Sequence, residues 1–417
     1  MEKIIIILIL ILIFVRLVWE STLSVLNMNH VKRCGESPPE HVSDVMDRDT
    51  YEKSVNYTLA KEKLSLFSGF YTTLILLAVL FSGFLPWLYS FFQIMQELPV
   101  LRESLYLISV MFIISLPELP VEFYAQFNLE ERFGFNRSSV KLWITDKIKG
   151  VIIGVVIAVP VIALVIYLIQ RLGDWWWILA FAVLFVFQLV MMVVYPMFIL
   201  PWFNKLTPLP EGNLRTRLMD LAERTGFKAR TIQVMDGSKR SGHSNAFFTG
   251  FGRFRRIVLF DTLVEQLTPQ ELEAVLAHEI GHYKKGHVPR MLALSAVMSL
   301  AGLWALAWVL DFPALTVAFG FDHQESGPGP ALLLFGLLSG LVVFWLSPLL
   351  GLLSRKHEYQ SDRFARDYAG AEPMINALEK LSRKNLSNLT PHPLYSGFYY
   401  SHPTLFERVK ALKGEEK

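Results

Sequence analysis

A single cysteine, Cys34, occurs in 417 residues, so no intrachain disulfide can brace the fold and no thiolate cluster can hold a metal. Charge is scarce too. Only 18% of the residues are Asp, Glu, Lys or Arg, and they nearly balance to a net +3. That leaves no basic surface for a nucleic-acid partner. The chain is instead 53% hydrophobic, and its apolar residues fall in long runs, so a lipid bilayer must cover much of the surface.

The runs are Ile4–Trp19, Leu64–Phe92, Leu105–Leu119, Val151–Ile169, Trp175–Phe203, Met291–Leu310 and Ala331–Leu353. A spanning helix needs about 20 mostly apolar residues, and these runs predict seven spans. Leu105–Leu119 is short and broken by Pro117 and Glu118; a carboxylate there would line a polar interior rather than touch lipid. The first run ends in Arg16, Trp19 and Glu20 without the small-residue pattern of a cleavage site, and so reads as a retained span. Ser21–Lys63 is polar and reads as a loop or short helices outside the hydrocarbon.

Lysine and arginine set the orientation. Asp311–Pro330, between the last two runs, holds neither, whereas Arg253, Arg255, Arg256, Lys284, Lys285 and Arg290 precede the sixth run and Arg355, Lys356, Arg363 and Arg366 follow the seventh. The positive-inside rule then places both basic regions on the cytoplasmic side. Counting back through seven spans puts Cys34 inside and the N-terminus outside.

The chain divides into residues 1–203 with five spans, 204–288 with soluble character, 289–353 with two spans, and 354–417. Within 204–288, Leu214–Glu223 has helical periodicity, Thr231–Met235 alternates like a strand, and Phe247–Phe260 reads as a hairpin turning at Gly250–Gly252. The expected fold is therefore mostly α and polytopic, with a small α+β catalytic region.

A helix start follows. Thr268 reads as its N-cap, Pro269 as its first residue and Glu271 as the capping-box partner. The helix carries His278-Glu279-Ile280-Gly281-His282, an HExxH pentad. Residues at i and i+4 share one helical face, so both imidazoles can reach one cation with Glu279 beside it. A catalytic zinc takes three protein ligands and keeps a fourth position open. The metzincin third histidine is excluded, because Val288 stands where it would be and Lys285 where its glycine would be. Glu358 and Asp362, on one face after the seventh run, suit a third ligand and a carboxylate that orients an imidazole. His357 is the rival ligand, and ordinary surface pairs with Arg355 and Arg366 are the bland alternative.

Five stretches resemble the type I CAAX prenyl endopeptidases, integral-membrane zinc metalloproteases: Phe127–Asn136 (FNLEERFGFN), Ser238–Ala246 (SKRSGHSNA), His278–His282, Glu358–Asp362 and Ser401-His402-Pro403. Their order relative to the apolar runs makes the likeness cover nearly all of the chain. The resemblance implies one Zn²⁺ per chain on His278, His282 and Glu358, Glu279 as general base, and Asp362 orienting a ligand. It implies Asn245 and Ala246 at a substrate-binding edge strand, His402 and Arg408 at the oxyanion, and a large chamber within seven helices. Partners would be a peptide or protein, prenylated or not, and the bilayer; no oligomer is required. A compact loop at Asp311–Pro330 and no retrieval ending favour a bacterial cytoplasmic membrane over the endoplasmic reticulum. Rival readings are an HtpX-like quality-control protease and a channel or transporter with a structural zinc. His243, His287, His323 and His392 read as structural.

Overall fold

The computed structural model describes residues 1–227, 231–249, 256–322 and 326–415. Among them are seven helices long and apolar enough to cross a membrane: Glu2–Glu36, Arg48–Phe81, Pro99–Phe133, Val140–Arg171, Gly173–Phe203, His287–Leu310 and Gly329–Ala369. The fold is mostly α, with one small sheet.

Three departures from the sequence reading have physical reasons. Residues 21–63 are not mainly loop: the first helix runs on to Glu36 and the second begins at Arg48. Leu23, Asn27 and Val31 recur at four-residue spacing and are buried, so a helical stripe continues after the hydrophobic run has ended. Glu62 on the second helix accepts hydrogen bonds from Ser24 Oγ at 2.8 Å and Asn27 Nδ2 at 3.0 Å, tying the two extensions together. Next, the run Leu64–Phe92 is broken at Gly83, whose φ of 76° suits a residue without Cβ; a separate helix covers Phe84–Phe92. The third span, conversely, is longer than its apolar run. It continues past Pro117 and Pro120 through 3₁₀ and π turns to Phe133, as prolines that remove backbone donors require.

The sheet has strands β1 (Leu206–Pro208), β2 (Ile232–Met235), β3 (Ala246–Thr249) and β4 (Arg256–Phe260) in the order β1-β2-β4-β3. β2 and β4 are parallel and the outer pairs antiparallel, with Ala246 opposite Leu259 and Phe247 opposite Val258. The β3–β4 hairpin and the second strand match expectation, while β1 is an addition. The expected turn at Gly250–Gly252 lies outside the described residues, as does His323. β3 is an edge strand and lies against the HExxH helix, Pro269–Lys284.

One core joins regions far apart in sequence. Leu218, Leu221, Ile257, Leu259, Leu272, Leu276 and Ile280 pack with Phe364, Ala365, Met374 and Leu412. Residues 204–288 and the last 60 or so residues therefore fold as one body around the HExxH helix. The helix Ser347–Ala369 continues the seventh span into that body, which is how a membrane helix delivers Glu358.

Candidate active site

The HExxH helix is fixed at its start. Thr268 Oγ1 accepts from the Glu271 N–H at 3.4 Å, and Glu271 Oε2 accepts from the Thr268 N–H at 2.8 Å and from Lys380 Nζ at 2.8 Å. Further along, Gly281 lets the helix Ser347–Ala369 come close: a Cβ there would meet Ser361 Cα at 3.0 Å and Phe364 Cβ at 3.1 Å. Glu358, one turn before Ser361, is thereby carried to the two histidines.

The ligand atoms of His278, His282 and Glu358 lie within 4.8 Å of one another. His278 Nε2 and His282 Nε2 are 3.2 Å apart, and Glu358 reaches them at 3.4 and 3.2 Å. Two observations fit a divalent cation. Glu358 Oε2 is buried with no hydrogen-bond partner among the described residues, and two imidazole nitrogens face each other across a carboxylate, an N,N,O donor set suited to zinc. Among the described residues no fourth ligand joins them: His357 stacks on His287, with ring centroids 4.1 Å apart.

The surrounding groups hydrogen-bond to the cluster. His278 Nδ1 lies 2.8 Å from Asp362 Oδ1, which leaves Nε2 to face the cluster. Arg408 donates to Asp362 through Nε at 2.8 Å and Nη2 at 2.6 Å. Burial would lower the His278 pKa, but the neighbouring carboxylates of Asp362 and Glu358 outweigh it and lift the imidazole to about 9. Burial pushes the Glu279 carboxyl above its ordinary value, against the pull of His278 and His282. Among the described residues Glu358 and Asp362 make no surface pair with Arg355 or Arg366; their partners are His278, His282, His402 and Arg408. Arg355 instead donates to the carbonyls of Tyr400 and Gly397, and Arg366 faces Asp367 at 3.5 Å.

His402 is largely exposed, with Nε2 3.5 Å from Glu358 Oε1 and Nδ1 3.0 Å from Ser401 Oγ. Arg408 is 9% exposed and its guanidinium is engaged by Asp362, with Nη2 3.8 Å from Glu358. Asn245 is exposed just before β3; its carbonyl accepts from Phe260 N–H at 3.1 Å and its Oδ1 from Ala246 N–H at 2.8 Å. Ala246 opens the edge strand.

Sequence reasoning missed His287 and Gln360. His287 Nδ1 lies 3.1 Å from His282 Nδ1, and His287 Nε2 lies 2.8 Å from Gln360 Oε1. His287 thus backs the second histidine much as Asp362 backs the first. No fixed spacing announces it, because His287 opens the next helix after the turn at Gly286.

A family model described as CAAX prenyl protease N-terminal, five membrane helices, matches residues 27–205, and one for peptidase family M48 matches residues 208–416. The chain is 38% identical over 400 residues to CAAX prenyl protease 1 of Saccharomyces cerevisiae, covering 90% of this chain and 88% of that one. It is 36% identical over 396 residues to a CAAX prenyl protease 1 homolog of Arabidopsis thaliana, covering 91% of each. A crystal structure of S. mikatae Ste24p superposes with a TM-score of 0.90 at 34% identity, covering 97% of this chain and 98% of that one. Similarity on this scale, over both the membrane helices and the metal region, does not favour an HtpX-like protease or a channel.

Proposed function

The chain is a membrane metalloendopeptidase belonging to peptidase family M48, of the CAAX prenyl protease type, and from that premise we propose that it cuts peptides near their C-terminus, prenylated or not, at a zinc held by His278, His282 and Glu358. The observation that carries the reading is the convergence of those three side chains, within 4.8 Å, beside Glu279.

Zinc, when bound, supplies a Lewis acid that polarises a carbonyl and lowers the pKa of water to about 7. The chain's own groups do the rest. Glu279, its carboxyl raised by burial, is suited to take a proton from the attacking water and return it to the leaving amine. His402, exposed beside Glu358, can donate to the developing oxyanion. Arg408 is a positioning residue in this scheme: it clamps Asp362, which fixes the tautomer and ring plane of His278. The edge of β3 at Ala246 offers main-chain hydrogen bonds to an extended peptide, and the Asn245 amide can grip a flanking peptide unit. The site faces the cytoplasm, by the lysine and arginine asymmetry, and the compact loops suit a bacterial inner membrane.

Incubating purified protein with synthetic CAAX-type peptides and locating the cut by mass spectrometry tests the proposal. One internal cut, abolished by a chelator and restored by zinc, is expected; cleavage indifferent to the chelator would contradict it.

A further inference from the structure

Two stretches singled out in the sequence, Phe127–Asn136 and Ser238–Ala246, meet in the structure at His243. The His243 ring stacks on Phe135, with centroids 4.0 Å apart and planes 17° from parallel. Its Nε2 lies 3.2 Å from Glu130 Oε2 and its Nδ1 3.3 Å from Asn385 Oδ1. Each of these side chains has a second donor: the Tyr57 hydroxyl donates to Glu130 Oε1 at 2.7 Å, and the Ser244 N–H donates to Asn385 Oδ1 at 3.3 Å. The main chains are laced together as well. Gly242 N–H donates to the Phe135 carbonyl at 2.8 Å, Arg137 N–H donates to the Arg240 carbonyl at 3.2 Å, and Asn136 pairs with Ser241.

The anchors come from three elements. Glu130 ends the π turn Ala125–Glu130 of the third span, and Gly134, at a φ of 83°, lets the chain reverse so that the Phe135 N–H returns to the Glu130 carbonyl at 2.8 Å. Tyr57 lies on the second span. Asn385 follows the helix Ala371–Lys384 and precedes Leu386, the one non-glycine among the described residues with a positive φ, 48°. A left-handed leucine is strained and persists where its surroundings fix it; here Ser54 Oγ donates to the Leu386 and Ser387 carbonyls at 3.2 and 2.8 Å. His243 stands two residues before Asn245 and three before β3, a four-residue strand whose one neighbour among the described residues is β4. Thr262 Oγ1 donates to the His243 carbonyl at 3.1 Å and the Phe260 N–H donates to the Asn245 carbonyl at 3.1 Å, so order at His243 passes along the chain to that edge. An edge already ordered loses less conformational entropy when an extended peptide is added to it. Resting on the protease reading, we propose that Glu130 and His243 form a joint through which the third membrane span holds the peptide-binding edge in place, with His243 a positioning residue for the substrate.

Steady-state cleavage of an internally quenched peptide by the zinc-loaded full-length enzyme, with kcat expressed per bound zinc, tests this. His243→Ala and Glu130→Ala should each raise KM by about tenfold, the worth of one or two hydrogen bonds. They should leave kcat per zinc within about twofold of wild type, the pattern of lost binding rather than lost chemistry. Because the two side chains act as a unit, the double variant should raise KM no further than His243→Ala does alone. KM does not depend on how much of the enzyme is folded. If the alanine variants yield no zinc-bound enzyme, Glu130→Gln keeps the packing, weakens the charge-assisted contact and should still raise KM by about threefold. An unchanged KM in these variants, a fall in kcat per zinc without a rise in KM, or single effects that multiply in the double variant would overturn the joint while leaving the protease reading intact. Failure of zinc-loaded wild type to cut any peptide would overturn the protease reading and this inference with it.

Discussion

Asp362 Oδ1 stands 2.8 Å from His278 Nδ1, while both oxygens of the same carboxylate accept from Arg408. One buried carboxylate therefore sets the direction of a candidate metal ligand and neutralises a buried guanidinium. Asp362→Asn keeps the shape but weakens both links. It should reduce zinc affinity by about tenfold to a hundredfold, as loss of such supporting partners does. Asp362→Ala should also destabilise the fold by about 3–5 kcal/mol, because buried Arg408 loses both of its short contacts and keeps only the longer one to Glu358. Competition with a fluorescent chelator and thermal unfolding read the two effects separately. Wild-type zinc affinity in both variants would remove Asp362 from the metal's surroundings.

The contact at Gly281 is between helices, and it is tight. Alanine at Gly281 would gain about 1 kcal/mol in helix propensity, but its Cβ would come within 3.0 Å of Ser361 Cα, a backbone atom that cannot swing aside. Overpacking of this kind costs about 1–3 kcal/mol, so the net effect is destabilising. Because Ser361 lies one turn beyond Glu358, the displaced helix should also carry the carboxylate away from the histidines. Gly281→Ala is expected to lower both melting temperature and zinc occupancy. An unchanged occupancy would mean that the two helices can separate without moving the ligand.

The capping box at Glu271 gives the catalytic body a pH dependence. Burial by itself raises the Glu271 carboxyl, but hydrogen bonds from Lys380 and Thr268 outweigh it, and the folded-state pKa is lowered. A carboxylate depressed on folding contributes stability that is present above its unfolded value of about 4.3 and is lost as pH falls through the lower folded value. Glu271→Gln should accordingly be less stable than wild type near neutrality by about 1 kcal/mol, and the gap should close in acid. A gap that widens in acid would contradict the assignment.

Much of this was legible from residue order alone. Thr268-Pro269 and Glu271 announce the helix start, and His278 and His282 announce a shared face that could hold a metal, because capping and helical periodicity are local. Glu358 was legible as a candidate but not as a certainty, since its meeting with the histidines depends on the close approach at Gly281 and Ser361. His287 and Gln360 left no signal, for their meeting depends on the turn at Gly286 and on a long-range contact between two helices. In residues 21–63 the long helical extensions were not legible for a different reason. The polarity of the segment predicts a loop or short helices, whereas Leu23, Asn27 and Val31 keep the helical period after the apolar run stops. The oxyanion role of Arg408 is implied by the family resemblance alone, and residue order hides its contact with Asp362, which lies 46 positions away in the chain.

The central claim is a division of labour between neighbouring carboxylates, with Glu358 holding the metal and Glu279 moving the proton. Zinc content and turnover of purified Glu279→Gln and Glu358→Gln test it most directly, by elemental analysis beside a peptide assay. Glu279→Gln is expected to keep about one zinc per chain, because His278, His282 and Glu358 complete the ligand set, while turnover falls by at least the roughly hundredfold to ten-thousandfold that general-base catalysis contributes. Glu358→Gln should lose zinc. An empty site in Glu279→Gln together with a full one in Glu358→Gln would exchange the two roles and contradict the mechanism.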